Sequence, residues 1–311
     1  MNSNTPQIEH DEFTGDAYLD QNAQPPSLIV LNDKTEYGYF IPGSTMVKCG
    51  WRELSESDEL HEHTFSSGIT EKGVLIKEPR MLVCTKTDLY QYDVKASEER
   101  QTKVILGRYN SELKADTNVK TERVYLIFFL DEENVPYHSA PLRYAARGVN
   151  GATFEIERRA FKAELEACHA VANGQAAKPK NERFHCLGVF ACTIKAEYAG
   201  DRQKSWACRV VGHEKPTNAN WKTYFVGYSD LREYVWTAFE PEKKLPLVRE
   251  SSLDEELVGT AGIDAYSDLT DADVEVARQS LFTTAASSNE TGMEKPREPV
   301  RGAGSMEEIP F

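Results

Sequence analysis

The chain has 311 residues, 40% of them hydrophobic and 10% aromatic, which is enough for one large domain or two ordinary ones with a buried core. The formal net charge of −14 on its own argues against nucleic-acid binding. The sequence has no apolar run of about 18 residues and no secretory signal after Met1, so we expect no membrane span and no export. Six cysteines without close pairing then favour reduced thiols in a cytoplasm.

The acidic excess is concentrated at the two ends of the chain. Residues 1–27 carry five acidic and no basic side chains, and residues 250–311 carry fourteen acidic and four basic ones. Residues 28–249 are almost neutral, with thirty-two basic and thirty-one acidic side chains. We therefore expect a flexible acidic segment at 1–27, a β-rich body at 28–249, a disordered acidic linker at 250–305 and a terminal tip at 306–311.

Short apolar runs separated by turn residues predict strands in the first half of the body. These runs are Leu28–Leu31, Tyr37–Ile41, Met46–Cys49, Lys72–Lys77, Arg80–Cys84 and Leu89–Tyr92. The most apolar run, Arg123–Leu130, predicts a central strand. Residues 95–121 are charged and poorly periodic, which indicates a loop or an exposed hairpin.

Helical patterns enter in the second half. Pro141–Ala146 predicts a short helix with proline in its first turn, and Phe154–Ala172 places apolar residues at helical spacing. The remaining expected elements are strands at His185–Ala196, Trp206–Val211 and Tyr224–Tyr228, a helix capped by Ser229 that runs to Phe239, and a transient helix at Thr270–Phe282. The pattern indicates an α+β, mainly β fold: an OB-like barrel with helical insertions, followed by a disordered acidic tail.

Aromatic and cationic side chains are interleaved at several places in the body. Binding of single-stranded DNA needs cations along the phosphates and flat rings on which bases stack. The candidate DNA-binding residues are Tyr37, Tyr39, Lys48, Trp51, Arg52, Lys86, Tyr90, Tyr92, Lys204, Trp206, Arg209, Trp221, Lys222 and Tyr224. The alternative for each ring is packing in the core, which is the usual role of aromatic residues in strands. We expect Trp51, Trp206 and Trp221 to be exposed, because each lies beside or near a cation.

The chain ends in two acids followed by Ile-Pro-Phe. Phe311 offers a ring and the α-carboxylate to one pocket, Pro310 restricts the backbone of Ile309, and Glu307 and Glu308 favour a basic rim. This tip resembles the acidic C-terminal tip of bacterial and phage single-stranded DNA-binding proteins, although it has two glutamates where an aspartate run is common. The resemblance implies that the tip recruits replication, recombination and repair proteins and competes with DNA for the basic groove.

Metal and catalytic signatures are sparse. His61-Glu62-His63 places two imidazoles on one strand face, and five further residues would have to converge to bind zinc, namely His185, Cys186, Cys192, Cys208 and His213. The sequence has no Cys-x-x-Cys, and buried thiols with surface histidines are the favoured interpretation, so we predict no metal and no cofactor. Asp131–Glu133 could hold Mg²⁺ after the central strand, but three acids there more often form a solvated turn.

These patterns together predict a non-enzymatic, cytoplasmic protein that binds single-stranded DNA. Its partners would be the DNA strand and, through the tip, replication, recombination and repair proteins. Two alternatives stay open, an adaptor whose body does not bind DNA and a metal-dependent nuclease that uses Asp131–Glu133. The sequence also leaves a homo-oligomer open.

Overall fold

A computed structural model describes residues 24–52, 60–199 and 204–245 of the chain. Within these ranges the fold is mainly β, with two antiparallel sheets and a few helices. The strands are β1 (Ile29–Asn32), β2 (Tyr37–Pro42), β3 (His61–Thr64), β4 (Thr70–Ile76), β5 (Arg80–Thr85), β6 (Tyr90–Asp93), β7 (Val104–Arg108), β8 (Val119–Phe129), β9 (Leu142–Arg147), β10 (Val189–Ala199) and β11 (Ser205–His213). The α-helices are α1 (Gly43–Cys49), α2 (Val94–Arg100), α3 (Gly148–Ala172), α4 (Glu182–His185) and α5 (Leu231–Phe239), and 3₁₀ turns lie at Ser111–Ala115, Trp221–Tyr224 and Val226–Tyr228.

The larger sheet has seven strands and is organised around β8. Its order is β11-β10-β5-β8-β6-β7, and β9 pairs with the other edge of β8. Residues 124–129 of β8 are buried on both faces, as a continuous apolar run in a central strand requires. The predicted central strand at Arg123–Leu130 is confirmed.

Helix α3 packs on the larger sheet through the apolar stripe that its sequence predicts. Phe154, Phe161, Leu165 and Cys168 are buried along one face and belong to the main core. Phe154 meets Tyr125, Tyr144 and Phe190 through ring contacts at centroid distances of 5.3, 5.1 and 5.5 Å. The helix begins at Gly148, six residues before the predicted start, and ends at Ala172 as expected.

The smaller sheet has four strands in the order β1-β2-β4-β3. It carries its own small apolar cluster of Leu31, Phe40 and Phe65. Gly73 of β4 lies between β2 and β3, where a Cβ atom would collide with the Ile41 carbonyl oxygen and press on the Phe40 ring. Position 73 therefore requires a glycine, because the Phe40 ring and the Ile41 carbonyl oxygen leave no room there for a side chain.

One predicted strand is a helix in the structure, and one predicted helix is a strand. Met46–Cys49 belongs to helix α1, which follows Pro42 and ends at Gly50 in the left-handed region with φ 62°. Pro141–Ala146, predicted as a helix, contributes Leu142–Arg147 as strand β9, because hydrogen bonding to the free edge of β8 overrides the local preference for helix.

Other segments differ in detail from the sequence expectation. Residues 95–121 contain most of α2, all of β7 and the start of β8, rather than a loop or an exposed hairpin. Tyr224–Tyr228 forms 3₁₀ turns instead of a strand, and only Gly188 and Phe225 make an isolated bridge there. Strand β10 begins at Val189, since α4 occupies His185, and α5 begins two residues after Ser229.

The predicted linker 250–305, the helix at Thr270–Phe282, the tip 306–311 and nearly all of segment 1–27 lie outside the described residues. None of the helices in the described part of the chain is long and apolar enough to cross a membrane.

Candidate nucleic-acid interface

Five of the predicted DNA-binding side chains lie in the interior. Tyr39 is fully buried, and its ring contacts Phe129 and Tyr144 at centroid distances of 5.9 and 5.6 Å. Trp221 is 3% exposed and packs against His169 and Phe225, so the expectation that it is exposed is wrong. The reason is that its 3₁₀ turn folds onto the end of α3.

Lys86 is also buried, and its ammonium group binds the protein's own backbone. Its Nζ donates hydrogen bonds to the carbonyl oxygens of Phe239, Glu240 and Lys243, where α5 ends. Burial lowers the pKa of Lys86, and the carbonyl groups satisfy its three donors. The predicted phosphate contact is thus replaced by a cap on a helix C-terminus.

Tyr90 and Tyr92 do lie on one strand face, but that face points inward. They are 3% and 8% exposed, and the Tyr90 hydroxyl donates to Glu122. The carboxylate of Glu122 is fully buried among three cations: Lys103 at 3.0 Å, Arg143 at 3.7 Å, and Arg147, whose Nε donates to it. Burial alone would raise the pKa of Glu122, but the three cations hold it well below its usual range. We call these four charged residues the Glu122 network.

Trp51 and Arg52 lie over Tyr137 on the surface. Trp51 stacks on Tyr137 and on His138 at centroid distances of 5.6 and 5.3 Å, so it is only partly exposed. The Arg52 guanidinium lies 4.1 Å from the Tyr137 ring centroid and forms a 2.8 Å ion pair with Asp131. Protein rings therefore cover part of Trp51, and the Arg52 guanidinium is already paired, although its side chain is 44% exposed.

Thr223, next to Tyr224, and Arg52 both contact the turn that follows β8. Arg80 donates to Asn134 and lies 5.6 Å from the Tyr224 ring, while Asn134 donates to the Thr223 carbonyl. Asp131 starts this turn, and its Oδ1 accepts from the backbone N–H groups of residues 133 and 135. Because its Oδ2 pairs with Arg52, Asp131 acts as a turn-stabilising residue. Lys222 is exposed in the same 3₁₀ turn as Tyr224, and Lys48 is exposed on α1.

The β10–β11 hairpin carries the most open aromatic pair among the predicted stretches. Tyr198 and Trp206 are directly opposite each other in the hairpin, with ring centroids 5.4 Å apart. Tyr198 is 55% exposed and Trp206 is half-buried. Lys204 is exposed and lies directly before β11, two residues from Trp206 in the chain.

Lys34, from the turn between β1 and β2, completes this surface. Its Nζ lies 5.8 Å from the Trp206 ring centroid. The Asn32 side chain holds the two segments together by accepting from the backbone N–H of Cys208. We call Lys34, Tyr198, Lys204 and Trp206 the hairpin patch. Two neighbouring rings with two lysines nearby match the residue types that single-stranded nucleic acid requires.

Arg209 and Tyr37 lie close to the hairpin patch without belonging to it. Arg209 is opposite Lys195 on the other face of the hairpin and forms a 2.8 Å ion pair with Glu197. Tyr37 is partly buried at the start of β2, with Lys77 5.2 Å from its ring centroid. Sequence reasoning missed Tyr198, although alternation along β10 and the short sequence distance to β11 are the signals that pair it with Trp206.

Comparison with known proteins gives a viral relative and a family for this chain. It is 33% identical over 165 residues to "Uncharacterized protein 254L" of Invertebrate iridescent virus 6, a match that covers 50% of this chain and 48% of the viral protein. The chain thus spans about half the length of that relative. No solved structure matches. A family model matches residues 23–256, which include every described residue, and the chain therefore belongs to the family described as Domain of unknown function (DUF5895).

Proposed function

We propose that this protein is a non-enzymatic, cytoplasmic single-stranded DNA-binding protein whose mainly β body holds the strand in the manner of an OB-like barrel. The observation that carries the proposal is the hairpin patch, where the exposed Tyr198 and the half-buried Trp206 form a ring pair near Lys34 and Lys204. Bases stack on such rings irrespective of sequence, and each stacked base contributes about 1–3 kcal/mol.

The charge distribution supports the proposal. The body at 28–249 is almost neutral although the whole chain carries −14, so the acidic ends account for nearly all of the excess. Lys34 and Lys204 supply positive charge at the patch, and a strand bound there would release counterions from its phosphates. Binding is therefore expected to weaken as the salt concentration rises.

The second role in the proposal belongs to residues 306–311, which lie outside the described residues. Their Glu-Glu-Ile-Pro-Phe sequence supports recruitment of replication, recombination and repair proteins. Deletion of Phe311 is expected to abolish this recruitment and to leave DNA affinity unchanged or higher. Partner binding that survives the deletion would contradict the role of the tip.

The test of DNA binding is a fluorescence-anisotropy titration of labelled oligo-dT with the full chain, with duplex of equal length as control. Trp206→Ala is expected to weaken binding by about 5- to 150-fold, the equivalent of one lost stacking contact. Tyr228→Ala is the matched control, because Tyr228 is 65% exposed but packs near Trp221 and Phe225 instead.

Two further variants separate charge from stacking. Lys34→Gln and Lys204→Gln are each expected to lower the slope of log affinity against log salt by about one. Equal affinity of the wild type, Trp206→Ala and both lysine variants for oligo-dT would overturn the patch as the binding surface. No binding of any oligonucleotide, together with loss of partner binding on deletion of Phe311, would favour the adaptor function instead.

A further inference from the structure

The smaller sheet brings Glu36 next to two histidines that lie much later in the chain, His61 and His63. His61 and His63 lie two residues apart on one face of β3, and Glu36 lies just before β2. The Glu36 Oε2 atom is 3.2 Å from His63 Nδ1 and 3.7 Å from His61 Nε2. All three candidate ligand atoms lie within 4.8 Å of one another.

These separations are those of ligands around one transition-metal ion. Imidazole nitrogen and carboxylate oxygen each bind zinc at about 2.0–2.2 Å, so the ligand atoms of a tetrahedral site lie about 3.4 Å apart. The two measured distances bracket that value. His61 Nε2 is buried and makes no hydrogen bond, so it has a lone pair or a proton without a hydrogen-bonding partner.

The surroundings of the three ligands favour a metal ion over a simple ion pair. The rings of Phe40 and Phe65 pack against His63 at centroid distances of 5.7 and 4.8 Å, and Phe40 also packs against His61 at 5.9 Å. These rings form an apolar wall behind the imidazoles, which fixes their orientation. On the other side Glu36 is 44% exposed, so an ion can enter from solvent.

From this geometry we propose that Glu36, His61 and His63 form a binding site for a divalent transition-metal ion, with zinc as the best-fitting member. His61 binds through Nε2, His63 through Nδ1 and Glu36 through Oε2. Two imidazoles and one carboxylate provide three of the four positions of a tetrahedral zinc ion, and water from the exposed side takes the fourth. Softer ligands are not involved, since the six cysteines are buried elsewhere.

Gly73 explains how the strands permit this arrangement. It lies directly opposite His61 in β4, and its lack of a side chain leaves room for the Phe40 ring beside the two histidines. Glu62, between the histidines, is exposed on the opposite face of β3 and pairs with Lys72 at 3.7 Å. Glu62 is therefore a matched control for Glu36, with the same side chain on the same sheet but turned away from the site.

The experiment is isothermal titration calorimetry of the full chain with zinc chloride, after dialysis against a chelator. The wild type and Glu62→Gln are expected to bind one zinc ion with equal affinity. Glu36→Gln and His63→Ala are expected to bind at least about tenfold more weakly. Circular dichroism checks that each variant is folded, and the isosteric Glu36→Gln keeps the comparison valid if His63→Ala does not fold.

A second readout identifies the ligands. Cobalt(II) in place of zinc is expected to give the visible absorption of a tetrahedral nitrogen and oxygen site, without a thiolate charge-transfer band. The proposal is overturned if the wild type binds no zinc, if Glu36→Gln binds it as tightly as the wild type, or if the cobalt spectrum shows thiolate ligation.

Discussion

The two sheets each hold a carboxylate among basic groups, and the two sites differ in what surrounds the charge. Glu122 of the larger sheet is fully buried and faces Lys103, Arg143 and Arg147. Glu36 of the smaller sheet is 44% exposed and faces two imidazoles that carry no fixed charge. The difference indicates that Glu122, neutralised by permanent cations, stabilises the fold, whereas Glu36 is available to bind a ligand.

The largest effect is expected from Glu122→Gln. This change leaves the buried Lys103, Arg143 and Arg147 without their counter-charge, which is expected to lower the free energy of unfolding by about 3–5 kcal/mol. Urea unfolding followed by circular dichroism measures the loss. Glu62→Gln on the smaller sheet should stay within about 0.5 kcal/mol of wild type, and similar losses in both variants would break the comparison.

Lys86→Met tests another buried cation of the larger sheet. The change removes the donor to three backbone carbonyl groups at the end of α5, so we expect a loss of about 1–3 kcal/mol in the same unfolding assay. Lys48→Met at an exposed position of α1 is the control and should be nearly neutral. A neutral Lys86→Met would mean that the carbonyl groups are satisfied by water instead.

His213, at the end of β11, is expected to make the stability of the fold depend on pH. It bonds Glu157 through Nδ1 and Glu164 through Nε2. Burial alone would lower the pKa of His213, but these two hydrogen bonds outweigh burial and raise it to about 9. Its charged form therefore adds stability that is fully present below the unfolded pKa of about 6.5 and is lost as pH rises through about 9.

The measurement compares unfolding of the wild type and His213→Gln across pH. We expect a difference of about 1–3 kcal/mol near pH 6 that shrinks steadily above pH 7 and is smallest beyond pH 9. A difference that stays constant over this range would show that His213 stabilises the fold by packing alone.

The smallest effect is expected from Glu36→Gln in the absence of metal. Because Glu36 is half-exposed, solvent screens its contacts with the two histidines, so in an assay at pH 7.5 its loss should change the free energy of unfolding by less than about 0.5 kcal/mol. Unfolding in a chelator at that pH measures the change. A loss as large as that of Glu122→Gln would make Glu36 a structural residue and remove the contrast between the sheets.

Local patterns predicted the elements that depend on their own periodicity. The apolar stripe of α3 and the continuous apolar run of β8 are visible without knowledge of any partner, and both are confirmed. Strand β9 was missed because its identity comes from pairing with β8, whose paired residues lie fifteen to twenty-five positions earlier in the chain. Its proline at position 141 equally suits the start of a helix or the approach to an edge strand.

The candidate sites show the same limit. Alternation correctly placed Tyr90 and Tyr92 on one face, but no local signal shows that β6 is covered on both faces, with Gln91 buried as well. The pair His61 and His63 was visible in the sequence, whereas Glu36, twenty-five residues earlier, joins it only through tertiary folding. Lys34 and Trp206 meet in the same way, across more than half of the chain.

The anchoring of Lys86 has a mechanical consequence. Its ammonium group donates hydrogen bonds to three carbonyl groups at and after the end of α5, and the backbone N–H of Leu245 donates to the Lys86 carbonyl oxygen. A force applied at residue 245 therefore acts through this hydrogen bond on Lys86, the residue after β5, as well as on α5. A partner that pulls on the segment after residue 245 would therefore load the larger sheet together with the last helix.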